Sequence, residues 1–484
     1  MEIGALIRRA GVNFGDAPCI TEDDRTLSFR EFDQATDRVG NALSAIGLRP
    51  GDRVGVLLPN TIDCLVAYYA LAKAGLVRVQ LNAREAVTDH EHKLSEGGAR
   101  AIIQSGFPDL TADFQINLEQ LRDMISTGDP SPCQIERPLD APLRFAFTGG
   151  TTGKAKAVNL TTRCELMEIS ALLTDLIPDL RQGDTFLHAA PISHASGAFF
   201  LPCICRGAHS LVMQKFNTSD FLDLAERSGA SMTFLVPTML AMIMEDPKVD
   251  SCKDQFRRIV YGASSISSGL VERLEQRFGR VLAQTYGQAE NPMAITQLAP
   301  EHHDRVGSCG RPYTMVDVAI FDENDQPLPP NERGEIVCRG VQLMAGYWNR
   351  PEKTAEAIRD GWLRTGDIGY MDEDGFYYIV DRKNDMFISG GFNIYPSEVE
   401  DVLLRFPGVV EAAVVGLPDE RWGERVVAVV AGRPDLEVEA ILLHAQTHLS
   451  GYKRPRALEI WPELPKSGAN KIMRRRVKET LMER

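Results

Sequence analysis

No apolar run in this chain reaches the ~20 residues that a membrane-spanning helix needs, so no membrane span is expected. Residues 1–16 show no signal-peptide pattern of a basic start followed by an apolar stretch. Positive charge is also in short supply. Lys and Arg number 53 against 67 Asp and Glu, a net charge of −14, which disfavours a nucleic-acid partner and leaves room only for a local basic cleft. The nine cysteines have no framework spacing, and the nearest pair, Cys203-Ile204-Cys205, is not C-x-x-C. Reduced, buried thiols of a cytoplasmic protein are expected, not disulfides or a metal site. Asp89-His90-Glu91-His92 has metal-type residues, but it lies in a polar segment that reads as a solvated helix start. His444 and His448 stand four apart without an H-E-x-x-H setting and read as an exposed helix face.

What the chain does have is the patterning of a large globular protein. Its 484 residues are 44% hydrophobic and 25% charged, too long for one core, so two or more domains are expected. Ser28-Phe29-Arg30-Glu31 is a capping box. Phe32, Ala35, Val39, Ala42, Leu43 and Ile46 follow at helical spacing, and Gly47 is a stop. An apolar strand at 54–58, a helix at 62–74 and a strand at 77–81 come next. This alternation predicts an α/β fold with mostly parallel sheets. Residues 108–138 are polar and read as an irregular connector.

After a short apolar run at 143–147 comes Phe147-Thr148-Gly149-Gly150-Thr151-Thr152-Gly153-Lys154-Ala155-Lys156. Glycines let the backbone approach an anion closely, and Thr hydroxyls and successive amides can point at phosphate oxygens. The common nucleotide loop G-x-x-x-x-G-K-[ST] does not fit, because Gly149 and Gly153 are one residue too close.

Further blocks follow in order. A strand at 185–189 leads into Pro191-Ile192-Ser193-His194-Ala195-Ser196-Gly197. Strands at 231–236 and 257–261 follow, the second running into Gly262-Ala263-Ser264-Ser265. A strand at 281–285 precedes Tyr286-Gly287-Gln288-Ala289-Glu290. Gly334-Glu335-Ile336-Val337-Cys338-Arg339-Gly340 runs on to Gly346-Tyr347-Trp348, and Thr365-Gly366-Asp367 comes before Asp381-Arg382-Lys383-Asn384-Asp385. Ser389-Gly390-Gly391-Phe392 precedes a second capping box, Ser397-Glu398-Val399-Glu400. Trp422-Gly423-Glu424, Tyr452-Lys453-Arg454-Pro455-Arg456 and Pro465-Lys466-Ser467-Gly468-Ala469-Asn470-Lys471-Ile472 complete the set. Together these resemble the adenylate-forming superfamily of acyl-CoA synthetases, luciferases and adenylation domains. The chlorobenzoate–CoA ligase type is nearest, and the resemblance runs from about residue 27 to 475. Departures are Gly149, Ala155, Ala157, Ala289 and Asn470, where the superfamily usually has Ser, Pro, Gly, Thr and Gly.

The resemblance implies a large N-terminal domain, 1–383, and a small mobile α+β domain, 384–484, pivoting at Asn384. It assigns ATP to Thr148, Gly149, Gly150, Thr151, Thr152, Gly153, Lys156, Gly262, Ala263, Ser264, Tyr286, Gly287, Gln288, Asp367 and Arg382. Mg²⁺ falls to Thr152 and Glu290. An acyl pocket is implied at His194, Ala195, Phe234, Ala263 and Met293, and a CoA passage at Gly390, Gly391, Phe392, Trp422, Tyr452, Arg454 and Arg456. Lys471, His194 and Glu290 are the implied catalytic residues.

The implied reaction adenylates a carboxylic acid with Mg-ATP and passes the acyl group to coenzyme A, in a monomer or homodimer. The neutral pocket residues favour a hydrophobic aryl or medium-chain acid. The alternatives are an adenylation enzyme that loads a carrier-protein phosphopantetheine, and a non-catalytic binding module of the same fold.

Overall fold

Ser28 opens the long helix Phe29–Ala45 as its spacing predicts. Its hydroxyl accepts from the Glu31 amide at 3.2 Å, and the Glu31 carboxylate accepts from the Ser28 amide at 2.8 Å. Phe32, Ala35, Val39 and Leu43 bury along one face, while Ile46, just past the end, stays 38% exposed. The computed structural model describes residues 2–148, 155–264, 266–383, 385–467 and 471–483. Gly149, Gly150, Thr151, Thr152, Gly153 and Asn384 lie outside the described residues.

The fold is mixed α/β. Strands Arg53–Leu57, Val77–Gln80, Ala101–Gln104 and Phe114–Asn117 run parallel in a seven-stranded sheet. Pro142–Phe147 joins the same sheet beside Val77–Gln80 and pairs antiparallel with Ala157–Thr161, so both ends of the Gly/Thr loop are anchored in neighbouring strands. A larger sheet has a parallel centre of Pro18–Glu22, His209–Val212, Thr185–His188, Met232–Leu235, Arg258–Gly262 and Leu282–Tyr286. It continues as antiparallel strands between Thr296–Leu298 and Tyr377–Arg382. A separate five-stranded sheet, formed by residues 387–460, has apolar cores of its own on both faces.

The helix Ile62–Lys73 is apolar all round and therefore buried all round. Its last residue, Lys73, is 1% exposed. The ammonium donates to Asp33 Oδ1 at 2.5 Å, to the Asp33 carbonyl at 2.8 Å and to Asp37 Oδ1 at 2.8 Å, matching three protons to three acceptors. Asp37 also accepts from Arg8 and from the Cys133 amide. This polar node ties three separate stretches of the first layer together.

Four sequence expectations change. Residues 108–138 are not an irregular connector. They contain the strand Phe114–Asn117 and the helix Leu118–Thr127, opened by a capping box between Asn117 and Gln120. Leu121 and Ile125 are its fully buried residues, with Leu118 and Met124 partly buried beside them, so its periodicity is faint. The second capping box, at Ser397, does not form. The helix Pro396–Leu404 starts with Pro at its first turn, and the Ser397 hydroxyl is drawn to Asp381 at 2.7 Å. Finally, Asp89-His90-Glu91-His92 is not fully solvated. His90 is completely buried, edge-on to Phe107, and His92 Nε2 bonds the Ala155 carbonyl at 2.8 Å. His444 is likewise half-buried, with Nε2 on the Val402 carbonyl at 3.1 Å.

Candidate active site

The parallel centre of the large sheet brings four strand ends side by side, the usual place for a ligand in an α/β sheet. Thr185–His188, Met232–Leu235, Arg258–Gly262 and Leu282–Tyr286 neighbour one another in that sheet. The turns that follow carry His194, Gly262 to Ser264, and Tyr286 to Glu290. Gly262 is needed at its place, because a Cβ there would lie 2.4 Å from the Thr285 carbonyl oxygen. Ala263 and Met293 both adopt positive φ, +71° and +58°, a conformation that L-residues other than Asn and Asp rarely hold.

Asp367 gathers residues from three segments. It sits on Trp362–Met371, paired with Arg382 across the ladder, and is 4% exposed. Its carboxylate accepts from the Tyr286 hydroxyl and from Gln288 Nε2 at 2.6 Å, and Arg382 Nε stands 3.3 Å away. Burial, and then the Asp367 charge, hold the Tyr286 phenol pKa well above its ordinary value, so it stays a donor. Gln288 also donates to the Thr365 carbonyl at 2.9 Å, locking the turn to the strand.

The neck of the Gly/Thr loop is closed by Thr148 and Lys156. The Thr148 amide donates to the Lys156 carbonyl, and the Lys156 amide donates to the Thr148 hydroxyl, both at 3.3 Å. The Lys156 ammonium then reaches over the ring of Tyr347, 3.9 Å from its centroid. The Tyr347 hydroxyl donates to Glu290 Oε1 at 2.7 Å. Gly287 faces the Met293 backbone so closely that a Cβ would lie 2.6 Å from its amide nitrogen.

His194 begins the short 3₁₀ turn Ala195–Phe199. Its Nδ1 is 3.1 Å from the Ser193 hydroxyl and 3.4 Å from Asn82 Nδ2. Both neighbours can donate, which assigns the ring proton to Nε2. Burial, then the charges of Lys93, Lys471 and Arg84, lower its pKa to about 4, so the imidazole is neutral at pH 7. Lys93 is itself held by both Glu85 oxygens at 2.6 Å. Phe234 is 1% exposed and stacks on Phe199, which stacks on Phe186; it is part of the core. Ala195, Ala263 and Met293 pack half-buried against the same core.

Lys471 comes from the other side. The Ser467 amide donates to the Lys471 carbonyl at 2.8 Å. Lys471 keeps access to water, yet the protein crowded around its ammonium, and then the Arg382 charge, lower its pKa to about 8, with Asp367 opposing. Its charge in turn reaches His194. The small sheet's segments are docked by Arg333 to Glu398 at 3.2 Å and Arg433 to Glu245 at 3.5 Å. Arg474, just after Lys471, joins Asp381, Asp385 and Glu400 at 2.6–3.0 Å.

Of the residues expected to form a CoA passage, Gly390, Trp422 and Arg456 come together, and Phe392 meets Tyr452. The Gly390 amide donates to the Trp422 carbonyl at 2.8 Å, and a Cβ at Gly390 would lie 2.7 Å from the indole. Arg456 lies over the same indole, 5.0 Å from the ring centroid. Phe392, 54% exposed, stacks on Tyr452 at 4.6 Å. Gly391, at φ +83°, faces open space. Arg454 instead donates to the Leu449 carbonyl at 2.9 Å, bracing its own loop.

Sequence reading missed Asn82, Lys93 and Tyr347. Asn82 and Lys93 carry no motif; the one available signal for Asn82 was its place just past the strand Val77–Gln80. Tyr347 was part of a matching block but had no role until the fold set it against Glu290 and Lys156.

Comparison with known proteins agrees with this geometry. Residues 7–348 match the family model of the AMP-binding enzymes, and residues 398–471 match that of the AMP-binding enzyme C-terminal domain. A feruloyl-CoA synthase of an Amycolatopsis species is 35% identical over 98% of this chain and 97% of its own length. A medium/long-chain-fatty-acid–CoA ligase of Mycobacterium tuberculosis is 34% identical over 93% of this chain and 85% of its own length. The structure of an o-succinylbenzoate CoA synthetase from Bacillus subtilis, in complex with its acyl-adenylate intermediate, superposes with a TM-score of 0.90. It shares 29% identity and covers 98% of this chain and 97% of its own. The resemblance to the chlorobenzoate type is only approximate, but with its fold and its two matched regions the chain belongs to the AMP-binding, adenylate-forming enzyme family.

Proposed function

We propose that this protein is an acid–CoA ligase that adenylates a hydrophobic aryl or medium-chain monocarboxylate and transfers the acyl group to coenzyme A. The observation that supports this reading is that the Lys471 ammonium feels the charges of Arg382 and Asp367 and is itself felt by His194. That is where a cation would offset the repulsion between an attacking carboxylate and the α-phosphate. A substrate carboxylate oxygen bonds to the α-phosphorus and pyrophosphate leaves. A CoA sulfur then bonds to the acyl carbon and AMP leaves.

The cofactors are ATP, Mg²⁺ and CoA. Asp367 would accept from the ribose hydroxyls, held for that purpose by Tyr286 and Gln288, with Arg382 beside it. Gly262, Ala263 and Ser264 would pack on adenine. Thr148, Lys156 and the loop they close would take the phosphates. Magnesium binds through one or two carboxylates and substrate phosphates more than through a full protein cage, and Glu290 with Thr152 fits that donor set. When bound, the ion neutralises phosphate charge. His194, neutral and protonated on Nε2, would donate to a substrate carboxylate oxygen. Glu85 engages Lys93 with both oxygens, so that cation is not offered to a second carboxylate.

We place the domain boundary at 383/384, with Asn384 as pivot. Rotation there would exchange Lys471 for the Gly390–Trp422 face. Trp422→Ala is expected to raise the KM for CoA roughly tenfold or more, since an aromatic stack on a base contributes about 1–3 kcal/mol. ATP–pyrophosphate exchange should be unchanged. Steady-state kinetics of both half-reactions check this, and equal loss in both would remove Trp422 from the CoA site.

The function itself is tested by pyrophosphate release with aryl and aliphatic acids, with and without CoA. CoA-dependent turnover on one group of acids is expected. Adenylate that CoA does not discharge would favour carrier-protein loading, and ATP binding with no exchange on any acid would favour a binding module.

A further inference from the structure

The seven-stranded sheet ends on a two-residue strand, Gly346–Tyr347, antiparallel to Ala157–Thr161. Tyr347 pairs with Val158, and its amide donates to the Thr354 hydroxyl at 2.9 Å. The strand that leaves the phosphate loop therefore fixes where this tyrosine stands. Its side chain, on a residue 8% exposed, meets two opposite charges at once. The hydroxyl donates to Glu290 Oε1 at 2.7 Å, and the ring face carries the Lys156 ammonium at 3.9 Å.

Lys156 and Glu290 are long, oppositely charged side chains on neighbouring segments. Left to themselves they would tend to meet as an ion pair, and neither would then be presented to a ligand. They form no ion pair with each other among the described residues. An aromatic ring attracts the cation through its negative face, while a hydroxyl on the same ring satisfies one carboxylate oxygen and orients the other. Resting on the proposed roles of Glu290 toward magnesium and Lys156 toward phosphate, we infer that Tyr347 is a positioning residue that holds these two charges apart and pre-aimed for Mg-ATP.

The test uses the full chain with Tyr347→Phe, which removes only the hydroxyl, and Tyr347→Leu, which also removes the ring face. In ATP–pyrophosphate exchange, Tyr347→Phe should raise the Mg²⁺ concentration for half-maximal rate about fivefold to tenfold, with the KM for the acid unchanged. Tyr347→Leu should in addition raise the KM for ATP. Binding measured without any acid gives a readout independent of turnover. Mn²⁺ titrated in the presence of ATP and followed by electron paramagnetic resonance should bind Tyr347→Phe more weakly by the same factor. A merely structural role would lower Tm and kcat while leaving both metal midpoints in place, and that result overturns the inference. If the wild-type protein exchanges pyrophosphate with no acid, the function reading fails, yet the Mn²⁺–ATP titration still decides whether Tyr347 acts as stated.

Discussion

Replacement of Lys471 by alanine is expected to slow acyl-adenylate formation by about 100- to 1000-fold, the effect of removing one preorganised charge-stabilising group from a site where charge develops. Thioester formation from supplied acyl-adenylate should be largely spared. The asymmetry follows from geometry. The Arg382 and Asp367 charges act on Lys471, while Gly390, Trp422 and Arg456 form a cluster of their own. A residue used in one orientation only should touch one half-reaction only. The proton matters as well. Crowding and the Arg382 charge lower the Lys471 pKa to about 8, and the useful form is the cation. Adenylation by the free enzyme, read as kcat/KM for ATP, should therefore be full below pH 8 and fall as pH rises through that value. The CoA step should lack that limb. Separate assays of the two half-reactions across pH 6–10 check both claims. An equal loss in both steps on Lys471→Ala would remove the lysine from its assigned role.

The second large effect concerns stability. Lys73→Met should destabilise the folded protein by about 3–5 kcal/mol, the range for removing one partner of a buried ion pair. Methionine fills the same space, so no cavity is made; what remains is Asp33 and Asp37 facing each other without their shared cation. Asp37 keeps Arg8 and the Cys133 amide, which places the loss toward the lower end of that range. The deficit should shrink in acid, where protonation removes the uncompensated charge. Adding Asp33→Asn and Asp37→Asn should recover part of it, because the liability is the unpaired carboxylate charge that stays buried. Urea unfolding of the three variants is the measurement. A loss below ~1 kcal/mol in Lys73→Met would mean that the site relaxes or admits water.

Much of this was legible in the chain before any coordinates. The strand–helix–strand rhythm placed the helices Phe29–Ala45 and Ile62–Lys73 and the strands around them to within a residue or two, because capping, spacing and turn residues act over a few neighbours. The faint elements were missed for the same reason. Leu118–Thr127 buries too little to write a strong period, and Ser397 was read as a cap when a distant Asp381 competes for its hydroxyl.

Within the site, Tyr286, Gln288, Asp367 and Arg382 could be nominated one by one from their motifs. That Tyr286 and Gln288 act by holding Asp367 was decided by the strand pairing that sets Asp367 against Arg382. Asn82 beside His194, Glu85 on Lys93, and Tyr347 between Lys156 and Glu290 were invisible in the chain. By itself the sequence determined which chemical groups are present, in what order, and which local elements carry them. The tertiary structure alone decided which of those groups share a charge, a proton or a ring face. Such pairings act over a few ångströms between residues far apart in the chain, and no local pattern records them.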